Sequence, residues 1–184
     1  MLYNVLKAVY MMCALCHLVS GHINGRCNAI QLIHNELSYK NRVTYMKDNM
    51  PIGYTIKVQN EEVYRRSNVT QLKHHVSNQD LQYLWIIINA EILQKILKVL
   101  PEKHFSRNYI QVLSDTFDYM NDINTYENNV IQEIQRRILQ NNKANWKDVK
   151  PKALLDNCYK VMQDIFNCVG KSTAGLHSRG TSGN

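Results

Sequence analysis

Glycine and proline are scarce in this 184-residue chain: between Arg26 and Val169 stand one glycine, Gly53, and three prolines, Pro51, Pro101 and Pro151. These residue types end helices, so their scarcity leaves long stretches free to stay helical, with the prolines marking the breaks. The same scarcity argues against the tight turns of a catalytic scaffold. No phosphate-cradling glycine loop, nucleophile elbow or paired-carboxylate constellation occurs, so no enzyme activity and no cofactor is expected. Acidic residues are also in short supply, 15 against 22 Lys and Arg, for a formal charge of +7. A basic surface suits acidic receptor faces and sulfated glycosaminoglycans, or serves only to keep the protein soluble. Nucleic acid fits poorly, because the basic residues fall in scattered pairs and not in one arm.

No apolar run reaches the roughly 20 residues that a membrane-spanning helix needs. The longest, Ala8 to Val19, is about 12 residues, comes after Lys7 and closes on Ser20 and Gly21, the outline of a secretory signal peptide. Residues 1–21 are read as that signal, which predicts a secreted, extracellular product with no membrane insertion. The alternative is a buried first helix of a cytosolic protein. The chain beyond Gly21 is about 160 residues long, which suits one domain with one core. Residues 22–168 are assigned to a helical domain and 169–184, rich in Gly, Ser and Thr, to a disordered tail.

Hydrophobic periodicity supplies the elements. Asn28 to Lys47 places Ile30, Ile33, Leu37, Val43 and Met46 near helical spacing and predicts one amphipathic helix. Pro51-Ile52-Gly53 signals a turn, and the alternation over Tyr54 to Val58 predicts a short strand. Ser77 and Asp80 form a capping-box pattern ahead of Leu81, Leu84, Trp85, Ile88, Ile92, Ile96 and Val99. A third helix from about Ser106 carries Tyr109, Val112, Leu113, Phe117 and Met120, and a further piece carries Val130, Ile131, Ile134 and Ile138. The last helix starts at Pro151 and presents Leu154, Leu155, Cys158, Val161, Met162, Ile165 and Phe166. The segment from about Asp48 to Val76 is long enough to run the length of a helix of roughly 30 Å. The fold class expected is therefore all-α, a four-helix bundle of up-up-down-down connectivity with a short β-strand in the first long crossover. An up-down bundle with a decorated loop is the competing topology.

Cys13 and Cys16 lie inside the signal, so the mature chain keeps Cys27, Cys158 and Cys168. A Cys27–Cys158 bridge would clamp the first helix to the last and, by loop-closure entropy, stabilise by roughly 5 kcal/mol. The alternative is two buried reduced thiols, and either way Cys168 is left over. Asn68-Val69-Thr70 is an N-glycosylation sequon placed in the crossover. Arg65, Arg66, Lys73, His74 and His75 make the crossover and the start of the second helix basic, a candidate glycosaminoglycan contact. Met50, Pro51, Ile52 and Tyr54 form a bulky apolar patch outside the helical stripes, a candidate dimer contact or else packing of the crossover on its own bundle. Asp115, Asp118 and Asp122 share one side of a helix and read as a solvated face. No metal site is expected, since no ligand spacing accompanies them or the histidines.

Several blocks carry a resemblance. Tyr39-Lys40-Asn41-Arg42-Val43-Thr44-Tyr45-Met46-Lys47 leading into Pro51-Ile52, then Asn68-Val69-Thr70, His75-Val76-Ser77, Leu81-Gln82-Tyr83-Leu84-Trp85 and Pro151-Lys152-Ala153-Leu154-Leu155-Asp156-Asn157-Cys158 together resemble the interleukin-34 family, in the same order across nearly the whole mature chain. The resemblance implies a helical cytokine that forms a noncovalent homodimer and binds and dimerises the macrophage colony-stimulating factor receptor. It further implies promotion of monocyte and macrophage survival, proliferation and differentiation, and association with syndecan (heparan sulfate) proteoglycans and a receptor-type tyrosine phosphatase. By the same resemblance Cys27 and Cys158 are the bridge between first and last helices, and Asn68 is the glycosylated asparagine. A secreted helical heparin-binding or carrier protein without receptor-kinase signalling is the alternative reading.

Overall fold

A computed structural model describes residues 25–50, 53–59, 64–122, 129, 131–133, 136 and 146–168. Most of them are helical, and a two-stranded sheet completes the set. The expected signal, residues 1–21, and the expected tail, residues 169–184, lie outside the described residues, as do Pro51, Ile52, Val130, Ile134 and Ile138.

The first helix, α1, covers residues 25–36 and is shorter than its apolar stripe predicts. Ser38 adopts an extended ψ of 153°, and the chain re-enters helix as α2, Tyr39–Arg42, which runs into a π turn at Val43–Lys47. Two side chains satisfy carbonyls near the break: Asn41 Nδ2 donates to Asn35 O at 3.3 Å, and Arg42 Nε donates to Leu37 O at 2.6 Å. The stripe survives the interruption, since Ile30, Ile33, Leu37 and Met46 are all buried. A periodic pattern reports which side faces inward, and polar side chains near a bend can hold carbonyls that the helix ladder no longer serves.

Strand β1, Ile56–Gln59, falls within two residues of its predicted position. Its partner β2, Trp146–Val149, pairs antiparallel with Ile56 opposite Val149 and Gln59 opposite Trp146. The sheet thus ties the first crossover to the segment that leads into the last helix. Between β1 and the next long helix lies α3, Arg66–Leu72, two turns that the sequence did not announce.

Helix α4, Asn78–Val99, begins where its pattern predicts: Asp80 N donates to Ser77 Oγ at 3.1 Å and Ser77 N to Asp80 Oδ2 at 2.7 Å. These bonds satisfy backbone donors that a helix start leaves open. Ile86, Ile87, Leu93 and Leu97 are buried along with the predicted stripe, so α4 is enclosed on most sides. Val99, expected on the apolar face, is exposed at the C-terminal end. Helices α5, Arg107–Asp122, and α6, Pro151–Ile165, match the predicted stripes, with Val112 the exception at the surface.

Trp85 is the centre of the core. It is fully buried, meets the rings of Phe117 at 4.8 Å and Phe166 at 5.1 Å, and donates from Nε1 to Cys158 O at 3.1 Å. Tilted aromatic pairs of this kind add to the area they bury, and the indole donor would be costly if left unpaired.

Cross-contacts fix how neighbouring helices run. Gln82 Nε2 donates to Ile165 O at 2.7 Å while Trp85 reaches Cys158, so α4 and α6 are antiparallel. Gln94 Nε2 donates to Ser114 Oγ at 3.0 Å and Arg107 Nη1 to Leu97 O at 3.0 Å, so α4 and α5 are antiparallel. Tyr109 Oη donates to Glu36 O at 2.9 Å, and Gly25 lies so close to Tyr119 that a Cβ there would stand 3.3 Å from its hydroxyl. Helices α1 and α5 are therefore antiparallel as well.

Candidate interaction surfaces

The cysteines depart from expectation. Cys27 is bonded to Cys168, with Cα atoms 5.6 Å apart, and Cys158 is a free, buried thiol. The predicted Cys27–Cys158 bridge is therefore corrected. Axial level explains the difference. His34 Nε2 lies 3.2 Å from Tyr159 Oη, and Arg42 meets Asp156, so α1 and α6 run in opposite directions with Cys158 level with the far half of α1. Cys27 stands seven residues, or about 10 Å, down the helix from that level. Cys168, past the C-terminal end of α6, is the one that arrives beside it. Burial pushes the Cys158 thiol well above its ordinary range, and the Arg42 charge opposes that only in part. The staple still fastens first helix to last, as expected, but through the other cysteine.

The same helix pair carries a charged cluster. Arg42 pairs with Asp156, which also accepts from Lys152 Nζ at 2.7 Å, one turn earlier on α6. The Arg42 guanidinium lies 4.7 Å from the centre of the Tyr159 ring. A planar cation held by both a carboxylate and an aromatic face fixes α2 against α6, a role lysine would fill poorly.

Of the predicted basic contact, Arg65, Arg66, Lys73, His74 and His75 are all exposed on or beside α3. Arg66, however, grips Asp164 of α6 with Nε and Nη2 at 2.5 Å each, which neutralises much of its charge toward an outside anion. Asn68 sits within α3, half-buried, and accepts from Ser67 Oγ at 3.4 Å; it is on a short helix and not in an open loop.

The sequence model of the family described as Interleukin 34 matches residues 21–173, most of the chain. The chain belongs to the interleukin-34 family. It is a cytokine of the interleukin-34 type, in a family that is not one of enzymes. No helix among the described residues is long and apolar enough to cross a membrane.

In this interleukin-34-type chain the predicted dimer patch is divided. Met50 is buried in the core, Tyr54 packs half-buried against it, and Pro51 and Ile52 lie outside the described residues. The burial of Met50 accords with the alternative given for this patch, packing of the crossover on its own bundle. The Tyr54 hydroxyl is shielded from water, and burial raises its pKa. Asp115 and Asp122 are exposed, as a solvated face requires, but Asp118 turns toward α4 and accepts from Gln94 Nε2 at 3.2 Å. Burial lifts the Asp118 carboxyl above its usual range against that hydrogen bond, and Asp115 and Asp122 add to the lift. The sequence missed the Arg42–Asp156 pair and the Arg66–Asp164 fork. Their separations of 114 and 98 residues leave no local pattern to read.

Proposed function

We propose that this chain is a secreted cytokine that binds and dimerises the macrophage colony-stimulating factor receptor and so promotes monocyte and macrophage survival, proliferation and differentiation. The family match over residues 21–173 is the observation that carries this reading. The helix directions support it: α1 and α4 each run against α5 and α6, the relation of an up-up-down-down four-helix bundle with two long crossovers.

The mechanism is one of geometry and not of bond-making. A two-fold homodimer presents the same receptor surface twice, holds two receptor chains together and raises the effective concentration of their kinase domains. Tyr54, with Pro51 and Ile52, is the remaining candidate for the dimer contact. Asn68 is proposed as the glycosylated asparagine, and Arg65, Lys73, His74 and His75 as the contact for heparan sulfate on syndecan-type proteoglycans, with Arg66 contributing less. A receptor-type tyrosine phosphatase is a further proposed partner.

Purified mature protein added to cells bearing the receptor is expected to raise receptor tyrosine phosphorylation within minutes. Heparin binding without any phosphorylation would instead mark a matrix protein, and copurifying lipid a carrier.

A further inference from the structure

A pocket of about 200 Å3 lies where three parts of the fold meet: the π turn at Val43–Lys47, the crossover at Met50 and Tyr54, and the start of α6. Met46, Met50 and Pro151, all buried, form its apolar wall, and Lys47, Lys150 and Lys152 supply its charge. No carboxylate lines it among the described residues. The acidic groups nearby are engaged elsewhere: Asp156 is shared between Lys152 and Arg42, and Asp148 pairs with Lys57 across the sheet at 3.6 Å. Asp48, next to Lys47 in sequence, is exposed and outside the lining. Lys47 and Lys150 are themselves exposed, with no ion-pair partner among the described residues.

The first turn of a helix favours acidic side chains, because its unbonded N–H groups carry partial positive charge. The start of α6 has none. Lys150 is its N-cap and makes no side-chain cap, and Pro151 and Lys152 follow. Two ammonium groups thus stand at the positive end of a helix, an arrangement that an anion relieves. Tyr54 adds an independent signal. Its hydroxyl is shielded from water and has no hydrogen-bond partner among the described residues. A buried phenol left unpaired is costly, and ammonium groups, which only donate, cannot accept its proton. What the pocket lacks is an acceptor.

We propose that this pocket binds a phosphate or sulfate monoester, whose oxygens accept from Tyr54 Oη and from Lys47, Lys150 and Lys152 while the first carbons of the ester lie against Met46 and Met50. Its volume sets the size of what enters. Drug-sized ligands fill roughly 300–1,000 Å3, so about 200 Å3 admits a tetrahedral head group and a short aliphatic stub, and the rest of a larger ester stays outside. Methionine side chains adapt readily to such a stub. The bound ester joins the crossover to the last helix. This inference stands on the pocket alone and does not depend on which receptor the protein engages.

Amide NMR of the full mature chain tests it, with titrations of butyl phosphate, butyl sulfate, inorganic phosphate and, at matched ionic strength, sodium chloride. The amides of Lys47, Met50, Tyr54, Lys150 and Lys152 are expected to shift with both butyl esters and not with chloride, and the esters to bind more tightly than inorganic phosphate. The preferred ester names the source: a phosphorylated ligand if butyl phosphate is the tighter, a sulfated saccharide if butyl sulfate is. Tyr54→Phe should weaken binding about tenfold, and Lys150→Gln about threefold. Without ester, Tyr54→Phe should melt no lower than the wild type, because the hydroxyl it removes has no partner. Chloride reproducing the shifts, an affinity unchanged in Tyr54→Phe, or inorganic phosphate binding as tightly as the esters would overturn the proposal. A lowered melting temperature of ester-free Tyr54→Phe would do so as well, by showing that the hydroxyl is bonded within the protein.

Discussion

Cys158 contributes to the core through its carbonyl, which accepts the Trp85 indole proton, and not through a bond to its sulfur. Cys158→Ala should therefore leave the native disulfide intact and cost no more than a small buried truncation, on the order of 1–2 kcal/mol. Cys168→Ser removes the staple instead, and a loss of about 2–5 kcal/mol is expected in denaturant melts. Asp118 gives a pH signature. Its folded pKa is raised, chiefly by burial, so the native state holds the proton more tightly than the unfolded chain. That contribution is present below the unfolded pKa and lost as pH rises through the folded one. Asp118→Asn keeps an acceptor for Gln94 and removes the charge. Its melting temperature should gain on the wild type between about pH 3 and pH 7, checked by thermal melts at both ends. At this scale the sequence revealed inward-facing residues well, since nearly every predicted stripe position is buried. It could not reveal which cysteines pair, because that depends on the axial level of two helices more than a hundred residues apart.

Among the elements, α4 was the most legible because several local signals agree: a capping box, an apolar period and a proline just past the end. Ser77→Ala removes the acceptor for Asp80 N and should destabilise by about 1 kcal/mol, measured by chemical denaturation, with little change in the denaturant slope. The α1 break and α3 were less legible. Each carries a partner that no window of sequence contains, Arg42 with Asp156 and Arg66 with Asp164. Strand β2 was missed for a different reason. Trp-Lys-Asp-Val has no apolar alternation, and its position is fixed by pairing with β1. The Arg66–Asp164 fork also bears on the proposed glycosaminoglycan contact. Asp164→Asn releases Arg66 and should delay elution from heparin more than from a plain cation exchanger, whereas equal delay on both columns would assign the change to net charge alone.

For the whole molecule, the family assignment rests on order preserved over most of the chain, and the physical account rests on how the first and last helices meet. If α1 and α6 are antiparallel, the end of one must lie beside the start of the other, and a single staple then joins residues 141 positions apart. Cysteine usage of this kind fits an exported protein better than a cytosolic one. The most direct measurement is peptide mapping of protein collected from culture medium, alkylated once in the native state and again after unfolding without reduction. The account predicts one disulfide-linked peptide pair joining Cys27 to Cys168, and Cys158 labelled only in the second step. A Cys27–Cys158 pair, or Cys27 and Cys168 both labelled in the first step, would contradict it.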